Sequence, residues 1–230
     1  MMHYSLDPGR MELTELEDLI KEKDLLPGRV LLKKDLHENF LLLKKEGIRN
    51  LKELLSTLGS PAKLRQLAGS CGLDENWLIL LKREAGSYIG KPFPLEKFPG
   101  IPYEYAEVLR SKGIRNTREL YEEMQLPGNM ERWTEKTGIP LARLKELYIL
   151  CDLSRINGVG PWFARILYQT GIHSVEVLAG SDAESQLKSY EKARQESNTA
   201  LPALSTGDMK HCISYAKVLC LYDSNDPSFY

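Results

Sequence analysis

Apolar residues return along this chain at steps of three and four, the spacing that gathers them on one face of a helix. From Met11 to Leu25 the residues Leu13, Leu16, Leu19 and Ile20 share a face and the opposite face is charged, which predicts an amphipathic helix begun near Thr14. Leu26-Pro27-Gly28 stops it. Pro140 opens a helix expected to reach about Arg155, with Leu144, Leu147, Tyr148 and Cys151 as its apolar stripe. That helix runs into Ile156-Asn157-Gly158-Val159-Gly160, a tight turn whose glycines accept backbone angles closed to residues with a Cβ. Pro161 suits a first helical turn, Ala164 and Leu167 continue the face, and Gly171 is placed for a left-handed cap. The unit reads as two short helices joined by a glycine elbow. No alternating, strand-like pattern survives anywhere, so the fold class is all-α.

The pattern repeats. Gly47-Ile48-Arg49-Asn50 returns 66 residues on as Gly113-Ile114-Arg115-Asn116, and Gly72-Leu73 returns as Gly138-Ile139 at the same shift. Leu54 matches Leu120, Leu78 matches Leu144 and Leu81 matches Leu147, with no gap. A shorter third copy places Gly100 on Gly158, Ile101 on Val159, Ala106 on Ala164, Leu109 on Leu167 and Gly113-Ile114 on Gly171-Ile172. This is internal duplication, and it predicts tandem helix-hairpin-helix repeats. After each closing glycine comes a capped helix: Asn50 with Glu53 and Asn116 with Glu119 have capping-box spacing, and Ser174 caps the third. Arg49 and Arg115 are read as bonding the last carbonyls of the helices they follow. The predicted core is Ala106, Leu109, Leu120, Leu144, Leu147, Ala164, Leu167 and Leu178.

Prolines and a glycine at 88–95 mark the best boundary. We expect an N-terminal diverged repeat over 11–90 and a tandem helix-hairpin-helix domain over 95–222. Residues 1–10 read as a poorly ordered lead-in, 183–200 as a solvated helix fraying into a loop, and Asp223 onward as a tail.

Composition changes the picture in one respect. With 31 basic and 32 acidic residues the net charge is −1, so a global cationic field of the kind that wraps nucleic acid is excluded. Any phosphate site must be local. No run of about 18 apolar residues predicts a membrane span, and the N-terminus lacks a signal-peptide pattern, so no membrane partner is expected. Cys71, Cys151, Cys212 and Cys220 have no CxxC spacing and read as reduced thiols of a cytoplasmic protein.

Phe98-Pro99-Gly100-Ile101-Pro102 through Gly113-Ile114, Thr137-Gly138-Ile139, and Ile156-Asn157-Gly158-Val159-Gly160 through Gly171-Ile172 resemble the bacterial family called domain of unknown function 4332. The resemblance covers roughly 98–220 and implies a tandem helix-hairpin-helix fold. Broader relatives of the motif occur in DNA ligases, polymerases and repair proteins, where the hairpin holds a DNA backbone; that is an analogy of fold.

The chemistry such elbows offer is anion binding. Open amides at the turn and the positive end of the next helix suit a backbone phosphate without reading sequence. Candidate nucleic-acid-binding residues are Gly100 and Ile101 with Arg110 and Lys112 at one elbow. At the other they are Asn157, Gly158, Val159 and Gly160 with Arg155 and Arg165. Pro102 and Pro161 each remove a donor, and Lys33-Lys34-Asp35-Leu36 stands where the first copy's elbow should be. Close packing of two helices, or contact with another protein, explains such turns equally. His211-Cys212 has no partner acid at a telling spacing, and no P-loop, dinucleotide fingerprint, nucleophile elbow or metal-ligand spacing occurs. The expected function is a non-enzymatic, sequence-independent DNA backbone binder without cofactor or metal; the alternative is a protein–protein interaction scaffold.

Overall fold

A computed structural model of the chain describes residues 3–197 and 201–224. Among them every regular element is a helix, and two isolated β-bridges are the only extended pairings. Two compact units divide the chain: residues 6–89 form one, and Gly90 onward, with the segment ending at Ser5, forms the other.

The first unit holds α1 (Leu13–Glu22), a 3-10 turn (Pro27–Lys33), α2 (Leu36–Lys45), α3 (Leu51–Thr57), α4 (Pro61–Cys71) and α5 (Glu75–Ser87). Phe40 and Trp77 meet edge to face in its core, and the Trp77 indole donates to the Leu32 carbonyl at 3.2 Å. Glu84, 1% exposed, accepts from Lys23 at 2.8 Å and Arg29 at 2.5 Å. Before α2 the chain turns at Asp35, whose φ of 48° makes it the one non-glycine residue in the left-handed region among those described. An Asp tolerates that conformation better than most side chains, so the chain turns here without glycine.

The second unit holds a 3-10 turn (Leu95–Lys97), α6 (Tyr103–Ser111), α7 (Thr117–Met124), α8 (Asn129–Thr137), α9 (Leu141–Leu153), α10 (Pro161–Gln169), α11 (Val175–Ala179), α12 (Ala183–Glu196) and α13 (Thr206–Ser224). All eight predicted core residues are at most 2% exposed. Helix α9 packs on α7, α8 and α10, while α13 covers α11 and α12. The helices α2, α6 and α10 end alike: Gly47, Gly113 and Gly171 have φ of 84°, 99° and 90°. The next residue's amide then reaches back to Leu43, Leu109 or Leu167 at 3.3, 2.9 and 2.9 Å. Only glycine enters this left-handed cap without steric cost. The caps that follow also form, Asn50, Asn116 and Ser174 each accepting from the third residue of the next helix.

Three expectations give way. Arg49 and Arg115 do not turn back to helix carbonyls; they reach forward to Glu53 and Glu119, the capping-box acids. The lead-in is anchored: Tyr4 is fully buried, accepts from the Thr117 hydroxyl at 2.8 Å, and stands 3.0 Å from that of Ser154. Burial pushes its phenol up to about 12, which keeps it protonated. Asp223, assigned to a tail, lies in α13, and residues 225–230 lie outside the described residues.

Candidate functional site

The two elbows share one geometry. Gly100 (φ 76°) is followed by an amide, that of Ile101, bonded to the Phe98 carbonyl at 3.4 Å; Gly158 (φ 91°) is followed by that of Val159, bonded to Ile156 at 3.0 Å. Both glycines are exposed, whereas Ile101 and Gly160 are half-buried and Val159 is buried. The helices that start here, α6 and α10, lack any side-chain cap. In α6 the Tyr105 amide bonds the Pro102 carbonyl at 3.1 Å, and in α10 Pro161 has no amide hydrogen, so the amides left without an acceptor within the helix are those of Tyr103 and Glu104 in α6 and of Trp162 and Phe163 in α10. An exposed aromatic follows each elbow: Tyr103 is 60% and Trp162 43% exposed.

The backs of the elbows differ. A Cβ on Gly158 would stand 3.5 Å from the Cys212 sulfur, and Asn157 Oδ1 lies 3.0 Å from His211 Nε2, so α13 lies behind this turn. A Cβ on Gly100 would stand 3.4 Å from Arg165 Nη2, so the Arg165 guanidinium lies behind that one.

The cations expected at the elbows are mostly engaged by acids. Arg155 is 1% exposed and is no surface cation. It donates to the Tyr4 carbonyl at 3.1 Å, the Tyr121 hydroxyl at 2.6 Å, Asp152 at 2.8 Å and Asp223 at 2.7 and 2.9 Å. Burial pulls its pKa down, but Tyr121 and the two aspartates outweigh that and hold it above the ordinary arginine value. A guanidinium carries five donors, and the apolar interior forces them onto partners rather than a ligand. Arg165 is 7% exposed; Nε donates to the Pro99 carbonyl at 2.7 Å and Nη1 to Glu146 at 2.5 Å. The side chain thus ties α10 to the Gly100 elbow. Arg110 pairs at the surface with Glu96 at 2.8 Å and with Glu107. Lys112 is exposed.

Sequence reasoning missed a cleft of about 750 Å³ beside the Gly100 elbow, lined by residues of α9, α10 and α12. Arg143, Trp162, Arg165 and Lys192 are among its walls. Arg143 binds the second oxygen of Glu146 at 2.7 Å. Burial would lift the Glu146 carboxyl, but the hydrogen bonds from Arg143 and Arg165 outweigh it and hold the group below the ordinary carboxylate value. Arg143 and Glu146 sit three apart on a helix, which reads as a routine surface pair, and Lys192 fell in a stretch read as solvated; neither carried a signal.

Residues 99–219, more than half of the chain, match the family described as domain of unknown function (DUF4332). The chain belongs to this family. The DUF4332 region contains both elbows and begins at the proline whose carbonyl receives Arg165. No curated protein and no solved structure matches the chain. Among the described residues no helix is long and apolar enough to cross a membrane, and no three His, Cys, Asp or Glu side chains are grouped as for a metal ion.

Proposed function

We propose that this DUF4332 protein is a non-enzymatic, sequence-independent binder of nucleic-acid backbone, DNA in the first instance, built from tandem helix-hairpin-helix repeats. One observation carries the reading. The helix after each elbow begins uncapped and exposed, with an aromatic beside it, whereas the helix after each glycine stop is capped by its own Asn or Ser. The free amides and the positive helix end suit a phosphate, and Tyr103 and Trp162 suit a base or sugar. The repeat reading is supported by the matched turns at Gly100 and Gly158 and by the three glycine-stop caps. None of Cys71, Cys151, Cys212 and Cys220 is in a disulfide, which supports a reducing, cytoplasmic compartment.

With Arg155 and Arg165 engaged by carboxylates, few cations remain to displace counterions. Binding is therefore weak and its salt dependence shallow. Fluorescence anisotropy with labelled duplex and single-stranded DNA at low salt is the test. We expect dissociation constants of about 10⁻⁵ M, similar for unrelated sequences. Tyr103→Ala with Lys112→Glu should weaken binding several-fold for all of them. No binding at about 100 µM protein removes the reading.

One observation favours the second reading, a protein-interaction scaffold: acids hold Arg155 and Arg165, two of the four cations expected to serve the elbows. That reading predicts no salt-dependent DNA binding at all.

A further inference from the structure

The floor of the cleft beside Gly100 carries charge that the protein itself does not neutralise. Two guanidiniums, Arg143 and Arg165, share the single carboxylate of Glu146. The Arg165 side chain is nine-tenths buried, and its Nη2 has no hydrogen-bond partner and almost no contact with water. A buried charged donor in that state is costly, so the site favours an incoming anion. Lys192 on α12 adds a third cation to the lining, opposed by Glu196 alone. Among the described lining residues cations therefore exceed carboxylates by one. The same cleft is lined by Trp162, the one partly exposed indole, since Trp77 and Trp133 are buried. At about 750 Å³ the cleft is the size of a small-molecule site and larger than a bare phosphate needs.

We infer that this cleft binds a nucleotide phosphate, with the phosphate at Arg143 and Lys192 and the base against Trp162. Guanidinium pairs suit phosphate oxygens, and an exposed indole offers a stacking face that every base can use. The phosphate meets Arg143 and Lys192, and the Arg165 guanidinium, closed to water behind Gly100, adds its charge through the wall. Two sources share this chemistry: a free mononucleotide and the phosphorylated end of a strand. The inference does not depend on duplex binding at the elbows.

The test uses the full chain, with Trp162 emission and calorimetry as readouts. The probes are adenosine monophosphate, adenosine, inorganic phosphate, and a short single-stranded oligonucleotide with and without a 5′-phosphate. Adenosine monophosphate, the 5′-phosphorylated strand or both should bind, and loss of the phosphate should weaken binding about tenfold. Lys192→Glu should weaken it about tenfold and Trp162→Ala about fivefold; both side chains are exposed, so the fold tolerates the changes. Binding of the phosphorylated strand but not the mononucleotide identifies the strand end as the source. No binding of either at about 1 mM overturns the inference, as does unchanged binding in Lys192→Glu. Inorganic phosphate binding as tightly as adenosine monophosphate refutes the base contact and with it the nucleotide assignment. Duplex affinity read separately by anisotropy keeps the elbow reading distinct: it can fail while the mononucleotide still binds.

Discussion

Arg155, just before the Gly158 elbow, and Arg165, behind the Gly100 elbow, are both buried beside a glycine turn, and their surroundings are mirror images. Arg155 is one guanidinium among two carboxylates, Asp152 and Asp223, with all three of its nitrogens bonded. Arg165 and Arg143 are two guanidiniums on one carboxylate, Glu146, and Arg165 Nη2 is bare. Full satisfaction makes the first arginine a structural rivet joining Tyr4, α7, α9 and α13. Partial satisfaction leaves the second with charge that its one carboxylate, shared with Arg143, does not fully offset. The same side chain next to the same kind of turn thus has opposite prospects as a ligand, and partner count decides which.

The most severe way to break this comparison is to remove each arginine in turn. Arg155→Met leaves Asp152, Asp223 and the Tyr4 carbonyl without their shared donor, and should cost about 3–5 kcal/mol in urea unfolding. Arg165→Met leaves Glu146 with Arg143 still bound and frees only the Pro99 carbonyl, so it should cost about 1–2 kcal/mol. Equal losses would show that the two sites are not different in kind.

This contrast also marks how far the sequence could be read. Burial of Ala106, Leu109, Ala164 and Leu167 follows from spacing, because a helix face maps directly onto a core. The Gly113 and Gly171 stops and the Asn116 cap are local as well, each settled within about five residues. The fate of a cation is not local. Arg155 is fixed by Tyr4 and Asp223, far away on either side in sequence, and no periodicity announces either contact. The cleft escaped for the same reason: Arg143, Trp162 and Lys192 come from three helices, and each alone resembles an ordinary surface residue. Asp35 in the left-handed region was equally hidden, since a turn without glycine has no signature.

A milder probe sharpens the comparison at the turns themselves. Gly100→Ala and Gly158→Ala place a Cβ at φ of 76° and 91°, and the new atom meets Arg165 Nη2 at 3.4 Å or the Cys212 sulfur at 3.5 Å. Those distances are ordinary contacts, so the cost is conformational, about 1–2 kcal/mol at either site by thermal or urea unfolding. A clearly larger loss at Gly100 would mean that the guanidinium behind it cannot yield.

The smallest expected effect is in pH dependence, where the mirror relation predicts opposite signs. The arginine hydrogen bonds hold Glu146 below its ordinary 4.5, so the stability it contributes is complete above that pH and is lost as pH falls through the folded value. Deep burial lifts Asp152 above its ordinary 3.8, the pull of Arg155 notwithstanding, so the folded state takes up a proton more readily than the unfolded chain there. Stability linked to Asp152 therefore grows as pH falls toward 3.8. Urea unfolding between pH 7 and pH 3.5 separates the two. The deficit of Glu146→Gln relative to the parent should shrink below about pH 4.5, because the parent loses what the variant never had. The deficit of Asp152→Asn should widen over the same interval, because asparagine has no proton to gain. Parallel curves for the two variants would place both carboxylates in equivalent surroundings, and the excess positive charge on which the cleft's affinity for an anion rests would have no counterpart in solution.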